Sequence, residues 1–322
     1  MASTDDAPPC CAASRGASGP ASPAASDVLS DDGGAVGSAV PGPSRAELET
    51  LAAAAPDELA LVGLDGGAFR MGSEDALAYP QDGEGPVRSV EVAPFAISAT
   101  TVTVAEFAVF VLATGHVTDA QRCGDSLVFA GNLAPQAAER LPRVAEAPWW
   151  CQVPGATWFT PEGPGSSVRG REDHPVTHVS QRDAVAYTAW LGARLPSEQE
   201  WEFAARGGLD QQPYPWGVVR DPDGVRRMNI FPGTFPDEPG GPVGTVPVRS
   251  FEPNGYGLFN VTGNVWEWTA SRWSGDSDEP VMRGGSYMCH ESYCRRYRTS
   301  ARSSATADTS LGHAGFRVAL SR

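Results

Sequence analysis

Two cysteines, Cys289 and Cys294, stand five residues apart in "RGGSYMCHESYC", a run otherwise rich in Gly, Ser, Tyr and Arg. On a helix that spacing turns the side chains about 140° apart, so only a turn or a loop-to-strand junction brings the sulfurs together. Converged, they offer a structural disulfide, a redox-active dithiol, or a soft two-sulfur site for a monovalent ion, copper(I) above all. Two unrelated buried thiols are the remaining reading. A zinc site needs about four ligands, and His290 alone lies close in sequence. Arg283, Arg295, Arg296 and Arg298 surround the pair, and neighbouring cations favour the thiolate, which is the reactive form.

Other constellations are weaker. His174 and His178 in "HPVTH" have a helical metal spacing, but Pro175 argues against a regular helix and no Glu follows the first His. They read as loop or strand histidines with structural roles. "NVTGNVWE", Asn260 to Glu267, brackets a tight turn whose carbonyls are free to face inward, an arrangement that suits calcium. Ser286 follows two glycines, but no obvious base accompanies it. Phosphate-binding glycine loops and the G-x-S-x-G elbow are missing.

The elements that must position these residues are short. "SRAELETLAAAA" reads as a helix capped by Ser44 with Glu47 at the capping-box position. "TVAEFAVFVLATG" is a helix closed by Gly115, and a further helix starts at Ser180. "LPSEQEWEFAARGG" combines N-cap Ser197, Glu200 and the stop Gly207-Gly208. "ELALVGLDGGAFRMGS" gives two short strands around an Asp-Gly-Gly turn, and "VRSVEVAPFAISATTVT" has strand character. Beyond Gly208 the pattern is turn chemistry and short aromatic strands. The expected fold class is α+β, one loop-rich domain with little regular secondary structure.

Residues 1–45 are mostly Ala, Ser, Gly, Pro and Asp and read as a disordered tail carrying Cys10 and Cys11; residues 46–322 form the folded domain. All 24 basic residues are Arg, and the net charge is −15. So acidic a surface repels phosphates and anionic lipids, which argues against nucleic-acid and membrane partners. The N-terminus has acids where a signal peptide has bases, so the expectation is a soluble, cytoplasmic protein whose six cysteines are largely reduced.

"GGAFRMGS", "HPVTHVSQRDAVAYTAWLGARLPSEQEWEFAARGG", "PNGYGLFNVTGNVWEWT", "RGGSYMCHESYC" and "GFRVA" together resemble the formylglycine-generating enzymes, from about Pro56 to Arg322. The resemblance implies a C-type-lectin-like variant fold. It also implies oxidation, with O₂, of a cysteine in a Cys-x-Pro-x-Arg motif of an unfolded sulfatase polypeptide to Cα-formylglycine. Cys289 and Cys294 would bind copper(I), with the substrate thiol as a third ligand. Ser286 would line the pocket, Trp266 would help wall it, and Asp125 would receive the substrate arginine. Both cysteines are present here, and inactive paralogues lack the pair. The alternative is a non-catalytic peptide-binding module on the same scaffold.

The resemblance further implies two structural calcium sites. One maps to Asn260, Gly263, Val265 and Glu267. The other begins at Asn229 and Ile230, but "DEPGGPVGT" places Asp237 and Glu238 early and Gly or Pro where its acidic ligand belongs. Thr188, Ala205, Thr299 and Val318 stand where secretory-pathway members carry disulfide cysteines, which fits a cytoplasmic enzyme. Cys123 and Cys151 read as plain buried or partly buried thiols.

Overall fold

Hydroxyl and carboxylate side chains set where the helices begin. The computed structural model describes residues 39–322, with helices α1 (Arg45–Ala52), α2 (Val104–Thr114), α3 (Asp119–Cys123), α4 (Pro135–Ala138), α5 (Gln181–Trp190) and α6 (Glu198–Arg206). Capping boxes open five of these: Ser44/Glu47, Thr103/Glu106, Thr118/Gln121, Ser180/Asp183 and Ser197/Glu200. Each satisfies amide donors that the first turn leaves without an intrahelical partner. Gly115, Gly124 and Gly207 close α2, α3 and α6 in the left-handed region, where a Cβ is unfavourable. The helices at Ser44, Thr103, Ser180 and Ser197 stand where the sequence places them; α3 and α4 were not anticipated.

The strands are β1 (Leu61–Leu64), β2 (Gly67–Met71), β3 (Arg88–Val92), β4 (Phe95–Ser98), β5 (Asp125–Phe129), β6 (Arg143–Val144), β7 (Ala147–Pro154), β8 (Gly233–Thr234), β9 (Glu238–Pro239), β10 (Trp266–Arg272), β11 (Pro280–Arg283), β12 (Arg302–Ser304), β13 (Ala314–Phe316) and β14 (Ala319–Ser321). They form small sheets: β1-β4-β14, β12-β11-β10-β13, β2-β3, β5-β7-β6 and β8-β9. The two strands around the Asp-Gly-Gly turn go to different sheets, β1 to β4 and β2 to β3. Gly66 makes that switch possible: its φ is 72°, and a Cβ there would stand 2.1 Å from the Val92 carbonyl oxygen.

This scaffold frames the chemistry-bearing loop. β11 and β12 are antiparallel neighbours, and the chain between them, 284–301, carries the cysteines. β13 runs parallel to β10, and the segment before it returns beneath the same loop. A parallel bridge from Leu127 to Leu311 joins that segment to β5. The core holds Trp150, Trp158, Trp266, Trp268, Phe107 and Phe316, all almost fully buried, and Cys289 and Cys294 belong to the same cluster.

Of the segment read as a disordered tail, residues 1–38, with Cys10 and Cys11, lie outside the described residues. Val40 donates its amide to the Gln121 carbonyl at 2.9 Å. Among the described residues no helix is long and apolar enough to cross a membrane.

Candidate functional site

Two glycines start the site. Gly284 and Gly285 leave β11 with φ of 98° and 72°, turning the chain inward so that Ser286 is fully buried. The following turn closes on itself: the Cys289 amide donates to Ser286 O at 3.0 Å and the Cys294 amide to His290 O at 2.7 Å. The five-residue separation is thereby spent in a turn, and the two sulfurs lie 3.3 Å apart with both residues at 0% exposure. That distance exceeds the roughly 2.05 Å of a disulfide bond. The Ser286 amide points at Cys289 Sγ from 3.4 Å.

The arginines that crowd the sequence around the pair divide between different partners. Arg283 binds Glu198 at 3.0 Å and Glu202, tying β11 to α6. Arg298 binds Glu84. Arg295 sits over the Tyr79 ring and donates its amide to the Tyr79 hydroxyl. Arg296 reaches sulfur: its Nη1 is 3.9 Å from Cys294 Sγ, and its other nitrogens bind Asp82.

Sequence reasoning missed His313. Its Nδ1 lies 3.0 Å from Ser286 Oγ, so a base does accompany this serine, from 27 residues away. Burial pulls His313 down to about 3, against a smaller upward influence of Cys294; the ring is neutral at physiological pH. Its Nε2 is buried with no hydrogen-bond partner, and Trp150 packs edge-on at 4.5 Å. The local signal was the short "LGHAGF" run, which has no periodicity to flag it.

Tyr293, within the same loop, belongs to an aromatic group. Tyr293 stacks on Phe235 at 4.4 Å, and Trp149 meets both edge-on at 4.7 and 5.1 Å. All three rings are partly exposed. Asp125, half-buried at the start of β5, accepts a hydrogen bond from Gln152 Nε2 at 2.9 Å. Trp266 is fully buried within β10, and its amide donates to His313 O. It therefore backs the site from within the core. His174 and His178 diverge: the first bonds Thr245 Oγ1 and the second Ser126 Oγ.

The two oxygen-rich sets behave differently. Asn260 Oδ1 is buried without a hydrogen-bond partner, the signature of an oxygen that a cation would satisfy. Asn260, Gly263 and Asn264 all have positive φ, which turns this loop tightly ahead of Val265 and Glu267. The Glu267 carboxylate already receives Arg317 and the Trp201 indole at 2.6–2.7 Å. At the other set, the Ile230 carbonyl is taken by Arg226 Nη2, and Asn229 Nδ2 donates to Gly244 O and Asn264 Oδ1. Asp237 and Glu238 are exposed. A guanidinium therefore occupies the carbonyl that a calcium ion would need, and the residues at Asn229 and Ile230 do not fit that ion.

Residues 47–322 match the family described as Sulfatase-modifying factor enzyme 1-like domain. The chain belongs to this family. It is 53% identical over 287 residues to the formylglycine-generating enzyme of Thermomonospora curvata, covering 82% of this chain and 95% of that protein. It is 48% identical over 299 residues to the enzyme of the same name from Streptomyces coelicolor, covering 87% and 95%. Among solved structures, PvdO from Pseudomonas aeruginosa superposes with a TM-score of 0.57 at 26% identity, covering 81% of this chain and 94% of that one. The family's sheet-poor, loop-rich α+β fold is the one observed here.

Proposed function

We propose that this chain is a formylglycine-generating oxidase, converting a cysteine of a Cys-x-Pro-x-Arg segment in an unfolded sulfatase to Cα-formylglycine with O₂. The observation that carries the reading is the buried Cys289–Cys294 pair, 3.3 Å apart, on a chain 53% identical to an enzyme of that name. Among the described residues no group of three or more His, Cys, Asp and Glu is placed to hold a metal. Two sulfurs alone suit a soft monovalent ion, and Cys289 and Cys294 would hold copper(I). Copper(I) there would supply affinity for the substrate thiolate and electrons for O₂.

The chain's own residues do the rest. Buried Ser286, fixed by His313, presents its hydroxyl beside the sulfurs. Tyr293, Phe235 and Trp149 offer an apolar platform for the extended substrate, and Asp125 is the carboxylate for its arginine. Turning CH₂SH into CHO with release of H₂S is a two-electron oxidation. Reduction of O₂ to water takes four electrons, so two external thiols, joined as a disulfide, supply the other two. Calcium at Asn260, Gly263 and Val265 would pin the loop before β10; the Glu267 carboxylate, already held by Arg317 and the Trp201 indole, does not fit as a further ligand. Reduced thiols and the replacement of the secretory cysteines by Thr188, Ala205, Thr299 and Val318 support action in the cytoplasm.

The test pairs metal binding with product. Reduced full-length protein should take up one copper(I) per chain and form aldehyde on a Cys-x-Pro-x-Arg peptide, and Cys294→Ala should lose both. A Cys294→Ala variant that converts the peptide normally would overturn the assignment and leave a peptide-binding module.

A further inference from the structure

A two-thiolate site holding a monovalent cation keeps one net negative charge. Where water is excluded, such a charge is costly unless something balances it. Arg296 is 3% exposed and its Nη1 stands 3.9 Å from Cys294 Sγ. Its Nε and Nη2 grip Asp82 Oδ2 and Oδ1 at 2.5 and 3.0 Å, and its guanidinium carbon lies 4.5 Å from the centre of the Tyr79 ring. Asp82 is itself only 7% exposed and comes from the 3₁₀ turn Pro80–Asp82, 214 residues earlier in the chain.

A buried ion pair is no stronger as a packing device than apolar side chains of the same volume. This pair has a third member, the sulfur. Burial raises the Asp82 carboxyl above its ordinary range; Arg296 opposes that, and the negative charges of Glu84 and Cys294 add to it. Asp82 and Cys294 thus share one guanidinium. Arg283 and Arg298, equally buried, spend their charge on Glu198, Glu202 and Glu84 instead.

We propose that Arg296 is the counter-cation of the Cys289–Cys294 site and that Asp82 sets how much of its charge the sulfurs feel. The proposal rests on the copper reading above. It makes Arg296 and Asp82 positioning residues, and it gives their substitutions opposite signs. Removing the cation weakens copper(I) binding. Removing the competing carboxylate while the guanidinium stays does not.

The experiment is competition for copper(I) between reduced full-length protein and the chromophoric chelator bicinchoninate, at fixed pH, with melting temperature measured alongside. Arg296→Met should bind copper(I) at least about tenfold more weakly than wild type, because a charge at roughly 4 Å is lost from a buried site. Arg296→Lys should stay closer to wild type, and Asp82→Asn should be equal or tighter. Wild-type affinity in Arg296→Met overturns the proposal. So does a loss in Asp82→Asn matching that in Arg296→Met, which would make the pair a packing element only. If Arg296→Met does not fold, the sign of the Asp82→Asn change decides. A wild type that cannot compete for copper(I) overturns the copper reading and this proposal with it, whereas a competing wild type with an indifferent Arg296→Met overturns this proposal alone.

Discussion

The Ser286 hydroxyl and the His313 imidazole lie 3.0 Å apart, both fully buried, one on the loop after β11 and the other just before β13. Ser286 Oγ also accepts the Met288 amide at 3.2 Å, so the hydroxyl is held from two sides next to the sulfur pair. His313→Gln and Ser286→Ala should each lower kcat, by roughly tenfold for one directed hydrogen bond. The double variant should be little worse than either alone, because the residues act as a unit. Additive losses would contradict the coupling.

Buried neutral histidines make stability depend on pH in a stated direction. Burial holds His313 down at about 3 and His178 at about 4, while in the unfolded chain each titrates near 6.5. Between about pH 6.5 and 4 the unfolded chain binds more protons, so stability falls as pH is lowered through that window. For His313 the loss at pH 5 relative to pH 7 is roughly 2 kcal/mol. Urea midpoints at the two pH values should therefore differ less in His313→Asn than in wild type. An unchanged difference would contradict the assignment.

Gly285 is held at φ 72°, and a Cβ there would come within 2.6 Å of the Arg296 carbonyl oxygen. Gly285→Ala should cost about 1–2 kcal/mol for the left-handed conformation, and the clash should also displace Ser286 and Arg296. The expected result is a lower melting temperature together with a disproportionate loss of turnover. Wild-type turnover in this variant would mean that the loop tolerates another path.

Calcium is expected to act through Asn260, whose Oδ1 is buried without a hydrogen-bond partner. Addition of calcium to chelator-treated protein should raise the melting temperature, by about 2.7 kcal/mol of stability at a hundredfold excess over Kd. Asn260→Ala should abolish the response. Substitution of Arg226, which engages the Ile230 carbonyl, should leave it intact. A wild type indifferent to calcium would remove the ion from the account.

What the sequence revealed follows the range of each interaction. Ser44/Glu47 and Ser197/Glu200 were readable because a capping box spans three residues. The Cys289–Cys294 pair was readable because one turn contains it. Asp82 and Arg296 are 214 residues apart, and nothing in "YPQDGEG" indicates that its aspartate will meet an arginine beside a cysteine. The arginine cluster was visible, but its division among Glu198, Glu202, Glu84 and Asp82 depends on the packing of α6 and the 80–86 turn against β11 and β12. His313 was hidden because its partner Ser286 lies across a loop. Cys123, read as buried or partly buried, is exposed at the C-terminal end of α3, a short helix that its five-residue pattern did not reveal.

The most direct test of the central claim is mass spectrometry of a Cys-x-Pro-x-Arg peptide after incubation with the copper-loaded protein, O₂ and an external thiol, beside a Cys289→Ser control. The account predicts the mass change for CH₂SH becoming CHO on the peptide cysteine, dependent on copper and missing in the control. An unmodified peptide with fully loaded wild type, or equal conversion by Cys289→Ser, would contradict it.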